Sequence, residues 1–154
     1  MIASDAWYVD SSALVRVYVP DQFSEPLNEL LWRGDNLFLS DLCVTEVASS
    51  LCRLCREGVL TSEGARVIHS KLLADIARGV FQRVSLTTEV YRSTEGRMLG
   101  AVSVEGGVLR ASGALHLGLA IYGGCRAMIT FDRRLAEASL RGGLDVYPAP
   151  GNAA

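Results

Sequence analysis

The segment from residue 109 to residue 135, LRASGALHLGLAIYGGCRAMITFDRRL, restricts the possible folds more than any other part of the chain. Its pattern predicts a nearly all-apolar helix over about 109–122, a double-glycine turn, and an apolar strand over 127–131. A strand without polar alternation is typical of a parallel sheet that is covered by helices on both faces. The segment therefore predicts an α/β protein in which Asp132 directly follows a buried strand.

The first predicted strand, at about 7–9, also ends at an aspartate, Asp10. A serine at position 11 or 12 can then cap the next helix. In open α/β sheets, ligands bind outside the carboxyl ends of the strands. We therefore expect Asp10 and Asp132 to meet at one edge of the sheet. A lone aspartate at such a place has an alternative role, which is to cap the following helix.

The rest of the chain continues the alternation of strands and helices. Further strands are predicted at about 37–39, 81–86 and 144–147, and further helices at about 24–32, 42–56, 62–78 and 87–98. This order predicts one α/β domain over residues 1–150, with a central, mostly parallel sheet and helices on both faces. Residues 151–154 are predicted to be a disordered tail.

The composition fits a single folded domain. The chain has 154 residues, of which 49% are hydrophobic, and this is enough for one sizeable core. Its net charge of −2 argues against a protein that coats nucleic acid through charge alone, but it permits contact with RNA through a local patch. The sequence has neither the pattern of a signal peptide nor an apolar run of the ~18 residues that a membrane-spanning helix needs. We therefore expect a cytoplasmic protein that does not enter a membrane.

The only closely spaced cysteine pair is Cys52 and Cys55, in the helix predicted at 42–56. A second pair or a nearby histidine at the spacing of zinc ligands is missing from the sequence. We expect reduced thiols that are packed in the core.

A third acid, Glu46, lies in the second turn of the same helix, close to the predicted sheet edge. On its own, such a glutamate is more typical of a solvated helix face. Together with Asp10 and Asp132, it predicts a carboxylate cluster, which usually requires a bound cation. Oxygen ligands favour Mg²⁺ or Mn²⁺, and a hard cation that lowers the pKa of bound water suits phosphodiester hydrolysis.

Three segments, YVDSSALVRVY, TEVASSL and ALHLGLA…TFDRRL, resemble the PIN domain, and most closely its VapC-type toxin ribonucleases. The resemblance implies a three-layer α/β sandwich, a Mg²⁺- or Mn²⁺-dependent endoribonuclease acting on RNA, a homodimer, and a VapB-type antitoxin as partner. By motif, Asp10, Glu46 and Asp132 match catalytic acids, and Asp10 and Asp132 match metal ligands. Ser12 matches a hydroxyl that helps to order the metal site.

The chain departs from this pattern at Gly113, where family members typically carry an aspartate. A helical glycine also costs about 1 kcal/mol relative to alanine. The departure predicts impaired cleavage, and it has three possible explanations: a disarming substitution, a natural degenerate toxin, or a rearranged site. The alternative function is an inactive toxin-like module that binds its antitoxin or RNA without cleaving.

Other side chains have two interpretations each. His116, in an apolar helix, is expected to be buried and hydrogen-bonded rather than to act as a catalytic base. Arg133 and Arg134 either contact substrate phosphate or compensate local helix charges. The apolar side chains of the first two helices form a protein-binding groove or dimer face, or simply pack against the sheet; they include Val17, Tyr18, Leu30, Leu31 and Trp32.

Overall fold

The computed structural model describes residues 5–33 and 36–148, so the tail predicted at 151–154 lies outside the described residues. A single parallel sheet forms the centre of the molecule, with strand order β3-β2-β1-β4-β5. Its strands are β1 (Ala6–Val9), β2 (Asn36–Leu39), β3 (Gln82–Arg83), β4 (Ala127–Ile129) and β5 (Asp145–Tyr147).

The helices form two packed groups. They are α1 (Ser11–Tyr18), α2 (Ser24–Leu31), α3 (Asp41–Arg56), α4 (Ser62–Ala77), α5 (Thr88–Gly100), α6 (Ala111–Tyr122) and α7 (Arg133–Arg141). Helix α1 contacts α2 and α3, α3 contacts α4, and α6 contacts α5 and α7. The chain adds strands in one direction from β1 to β3 and in the other direction from β4 to β5. Right-handed crossovers therefore put α1–α4 on one face and α5–α7 on the other, which is the predicted sandwich.

The sheet is covered on both faces because its central strands are apolar. Tyr8, Val9, Met128 and Ile129 are fully buried. The edge strand β3 is shorter than the predicted 81–86. Its partner strand β2 ends where Ser40 caps α3, so residues after β3 have no further β2 residues to pair with.

The prediction that Cys52 and Cys55 pack in the core is wrong. Helix α3 buries a different stripe, which includes Val47 and Leu51. Cys52 lies next to this stripe and is exposed, whereas Cys55 is partly exposed; both are free thiols, as expected. In the part of the chain that the structure describes, none of the helices has the length and apolar character needed to cross a membrane.

Candidate active site

The two central strands bring the predicted aspartates to the same edge of the sheet. β1 and β4 are parallel neighbours, Val9 pairs with Ile129, and the Asp10 amide donates a hydrogen bond to the Ile129 carbonyl at 3.1 Å. The direction of strand addition reverses between these strands. Such a switch point leaves a crevice at the carboxyl ends of the strands, where α/β proteins bind ligands. Asp10 and Asp132 both follow strands that border this crevice.

Asp10 is a buried carboxylate, with only 3% of its surface exposed. Its Oδ1 accepts hydrogen bonds from the Ser12 hydroxyl at 2.7 Å and the Ala13 amide at 3.1 Å, and its Oδ2 accepts one from the Thr130 hydroxyl at 2.7 Å. Burial raises the pKa of Asp10, although these hydrogen bonds oppose the shift. Within residues 5–33 and 36–148, no cationic side chain forms an ion pair with it.

Two hydroxyls connect the ends of β1 and β4. The Ser12 hydroxyl donates to Asp10 and accepts from the Phe131 amide at 2.8 Å. The Thr130 hydroxyl donates to Asp10 and accepts from the Asp132 amide at 3.0 Å. Ser12 was predicted to support the site, whereas Thr130 was missed. Its signal in the sequence was a hydroxyl in an otherwise apolar strand, where a buried polar group needs a partner.

Asp132 is exposed and caps α7. Its Oδ1 accepts hydrogen bonds from the amides of Arg134 at 2.9 Å and Leu135 at 3.2 Å. Asp10 likewise caps α1, so the alternative role of a strand-end aspartate is present at both positions. The Oδ2 atom of Asp132 accepts no hydrogen bond from the described residues and is free to bind a cation.

Glu46 reaches this edge of the sheet from α3. Its Oε2 accepts a hydrogen bond from the Ser11 hydroxyl at 3.3 Å, and its Oε1 accepts one from His116 Nε2 at 2.5 Å. Partial burial of Glu46 would raise its pKa, but the hydrogen bonds from His116 and Ser11 and the charge of His116 lower it overall. Glu46 is therefore an ionised carboxylate at neutral pH, and it contacts Ser11, the residue that follows Asp10.

His116 is buried and hydrogen-bonded, as predicted, with 2% of its surface exposed. Its Nδ1 lies 2.9 Å from the Tyr8 hydroxyl, which lies 2.9 Å from the hydroxyl of Ser40, the cap of α3. Burial would lower the pKa of His116, but its contacts with Cys43 and Glu46 raise it to about 10. The imidazolium therefore donates to Glu46 on one side and to Tyr8 on the other.

This chain of hydrogen bonds, from Ser40 through Tyr8 and His116 to Glu46, was not predicted from the sequence. It ties the helix that carries Glu46 to β1 and to α6. The signal was Tyr8 itself, because a tyrosine in a buried strand needs a partner for its hydroxyl.

Gly113 lies in the first turn of α6, one turn before His116. A Cβ atom added at Gly113 would meet only carbon atoms of Leu109, the nearest at 3.8 Å. The fold therefore accepts a Cβ atom at position 113. Among residues 5–33 and 36–148, no three His, Cys, Asp or Glu side chains form a group that is close enough to hold a metal ion.

Arg133 and Arg134 follow Asp132 and are both exposed. Arg133 pairs with Glu137 at 3.0 Å on α7, in accordance with the interpretation that it compensates helix charge. Arg134 lies in the first turn of the same helix, and its backbone amide donates to Asp132.

Comparison with known proteins decides the family. Residues 7–140 match the family described as the PIN domain. The chain is a PIN-domain protein. A search among curated proteins finds no match.

Solved structures share the fold of this PIN domain. The Mycobacterium tuberculosis toxin VapC20, described as cleaving the sarcin–ricin loop, is 16% identical with a TM-score of 0.66, over 92% of this chain and 99% of that chain. VapBC2 from Rickettsia felis, bound to a DNA fragment from the promoter, is 14% identical with a TM-score of 0.61. The match covers 92% of this chain and 96% of that chain. FitAcB from Neisseria gonorrhoeae is 15% identical with a TM-score of 0.64, and the match also covers 92% of this chain and 96% of that chain. At these identities the likeness establishes the fold alone.

Proposed function

We propose that this PIN-domain protein is a VapC-type toxin: a Mg²⁺- or Mn²⁺-dependent endoribonuclease that hydrolyses RNA in the cytoplasm and whose activity is impaired by Gly113. The main support is Asp10, a buried carboxylate at the switch point of the sheet that forms no direct ion pair with the described residues, although the charge of His116 lowers its pKa against the effect of burial. Buried charges in proteins are normally paired or bind a metal. The toxin VapC20, which has the same fold, is described as cleaving an RNA loop.

Asp10 and Asp132 are the proposed metal ligands. Ser12 and Thr130 hold the Asp10 carboxylate in one orientation, and Asp132 has one oxygen that is not used in capping α7. Mg²⁺ commonly takes one or two protein carboxylates and completes its shell with water and substrate phosphate. This donor set therefore fits such a cation. When bound, the cation supplies an activated water and polarises a phosphoryl oxygen.

Glu46 acts on the attacking water. Its ionised carboxylate accepts a hydrogen bond from that water and so orients it, while His116 and Ser11 keep the carboxylate in place. Arg134 is the proposed phosphate contact, because Arg133 is already paired with Glu137.

The absence of an acid at Gly113 removes one negative charge and one potential oxygen ligand from this edge. The loss weakens cation binding and the positioning of water, and a misplaced reacting group can cost about 100-fold in rate. The lack of a ready three-ligand group among the described residues favours the second candidate, an inactive module that binds antitoxin or RNA without cleaving.

A metal-dependent ribonuclease assay on three matched proteins separates these functions. The protein with the given sequence, called the natural protein below whatever the origin of its Gly113, should cleave weakly, and Gly113→Asp should cleave about 100-fold faster with Mg²⁺ or Mn²⁺. Gly113→Asn is the control, since it adds a side chain of the same shape without the charge and should stay weak. Cleavage by the aspartate form should disappear with EDTA.

Equal rates for the glycine and aspartate forms would show that an acid at position 113 is dispensable. If neither form cleaves RNA, the ribonuclease proposal is wrong, and binding of antitoxin or RNA by the same proteins then tests the binding module. A Cβ atom at position 113 makes only ordinary contacts with Leu109, and circular dichroism of the three proteins checks that each is folded.

The proposed protein partner is a VapB-type antitoxin, which binds to a homodimer of this chain. A cavity of about 510 Å³ lies between α1, α2, β2 and α4 and is lined by Val17, Tyr18, Leu31 and Trp32 among others. Leu31 is buried in the core. Val17, Tyr18 and Leu30 are partly buried and pack against the core, whereas Trp32 is 89% exposed. Its exposed indole is the proposed docking point, and a basic antitoxin side chain is expected near Asp10 and Glu46.

Co-expression with the antitoxin tests this surface. Trp32→Ser should weaken the purified complex by roughly 30-fold, the effect of removing an aromatic hot spot worth about 2 kcal/mol. Leu99→Ser is the matched control, because Leu99 is also strongly exposed but lies on α5. Equal affinities of the natural protein and Trp32→Ser would contradict the assignment of the antitoxin to this cavity.

A further inference from the structure

Three side chains form a small platform beside the candidate active site. The Phe131 ring lies 5.5 Å from the Phe23 ring, measured between centroids, and the guanidinium carbon of Arg16 lies 4.1 Å from the Phe131 centroid and 5.5 Å from that of Phe23. All three side chains are partly exposed. We call Arg16, Phe23 and Phe131 the aromatic ledge.

The ledge is attached to the same serine that orients Asp10. The Phe131 amide donates to the Ser12 hydroxyl at 2.8 Å, and Arg16 Nη1 donates to the Ser12 carbonyl at 2.8 Å. Arg16 Nε donates to Asp21 Oδ2 at 3.0 Å, so the guanidinium is held over the ring. Phe131 also stands between Thr130, which binds Asp10, and Asp132. The ledge and the carboxylates therefore share one rigid support.

The chemistry of the ledge fits a nucleobase. The proposed cation and Arg134 would contact the cleaved phosphate, whereas Asp10, Glu46 and Asp132 have no chemistry that binds a base, so a base contact has to come from groups around the carboxylates. Aromatic rings and arginine guanidinium planes bind bases by stacking, and this works for bases that are not already stacked in a duplex. The Nη2 group of Arg16 makes no hydrogen bond with the described residues and is available for a phosphate or a base edge.

We infer that the aromatic ledge stacks one unpaired base of the RNA next to the cleaved phosphodiester bond. The inference rests on the proposed ribonuclease function. The ledge then acts in binding and in the choice of cleavage position, and the carboxylates act in the chemistry.

Binding measurements on the natural protein test the stacking contact. The probes are a short oligoadenylate and an abasic ribose-phosphate oligomer of the same length, titrated in Mg²⁺ with the RNA checked for integrity afterwards. The ratio of the two affinities measures what the bases contribute. Phe131→Leu and Phe23→Leu keep apolar volume but remove the ring, and each should reduce this ratio by roughly 5- to 150-fold, the range for loss of one base–aromatic stack of about 1–3 kcal/mol.

Two control variants make the result specific. Phe131→Tyr retains a ring and should keep the ratio of the natural protein. Tyr91→Leu removes a partly exposed ring from α5 and should leave the ratio unchanged.

The outcomes separate the ledge from the proposed function. If the natural protein prefers oligoadenylate and both leucine variants keep that preference, the ledge serves only in packing and the inference is wrong, while the ribonuclease proposal stands. If the natural protein binds neither oligomer, both are wrong. Because Phe23 and Phe131 lie on different segments, failure of one variant to fold leaves the other as a test.

Discussion

The two glycines Gly113 and Gly118 lie on the same helix, α6, and they have opposite reasons to be there. A Cβ atom at Gly118 would overlap with the Thr94 hydroxyl of α5, so any larger residue there forces Thr94 or one of these two packed helices to shift. A Cβ atom at Gly113 would make only ordinary contacts with Leu109. Packing against α5 therefore restricts the residue at position 118 in the middle of α6, but packing does not restrict the residue at position 113 in its first turn.

The difference shows how to interpret the residue that departs from the family pattern. No packing, turn or positive φ angle explains Gly113, and its effect on the active site stays a prediction. His116 lies between the two glycines and belongs to both regions. It is buried like Gly118, and it contacts Glu46 at the carboxyl edge of the sheet.

The largest effect on stability is expected from His116. At neutral pH, His116→Gln replaces a charged donor to Glu46 and Tyr8, and loss of such a hydrogen bond costs about 1.5–3 kcal/mol. The pKa of His116 is about 10 in the folded protein, whereas an unfolded histidine has a pKa of about 6.5. This contribution is therefore fully present below pH ~6.5 and is lost as the pH rises towards ~10.

Urea unfolding of the metal-free protein across this pH range measures the effect. The free energy of unfolding of the natural protein should fall between pH ~6.5 and ~10, and the curve for His116→Gln should be flatter and lie below it at low pH. His69→Gln, at the other histidine of the chain, should follow the natural protein. Parallel curves for the natural protein and His116→Gln would mean that His116 is neutral in the folded state.

The fold followed from local patterns, and the contacts within the site did not. Apolar strands that end at Asp10 and Asp132 predict a parallel sheet because burial on both faces leaves a simple trace in the sequence. The pairing of Tyr8 with His116 joins residues that are distant in sequence and leaves no periodic trace. For the same reason, the extent of β3 was overestimated, since it depends on where its partner β2 ends.

The roles of the acids are difficult to predict for another reason, which is that one position can serve two purposes. The structure places Asp10 and Asp132 after neighbouring strands, but both also cap helices, and either role alone accounts for an aspartate there. Family resemblance suggested metal binding for both residues. The roles of Asp10, Glu46, Asp132 and Ser12 in catalysis remain predictions that the assay on Gly113→Asp addresses.

A smaller effect is expected at Gly118. Gly118→Ala forces a methyl group against Thr94, and overpacking of this kind costs about 1–3 kcal/mol. Thr94→Ala should relieve part of the cost, because it removes the atom that the methyl group would meet. The two changes should therefore couple in a double-mutant cycle of urea unfolding. Additive effects would show that α5 and α6 adjust to the extra methyl group without involving Thr94.

The smallest effect, and the one of opposite sign, is expected for Gly113→Ala. The added methyl group meets only ordinary contacts, and alanine loses less backbone entropy than glycine in a helix, so the free energy of unfolding should rise by about 0.5–1 kcal/mol. Cleavage should stay as weak as in the natural protein, because alanine brings no carboxylate. Thermal unfolding and the ribonuclease assay on the same preparation measure both quantities. A destabilised Gly113→Ala protein would show that Gly113 has a structural role. Packing would then explain Gly113 as well as Gly118.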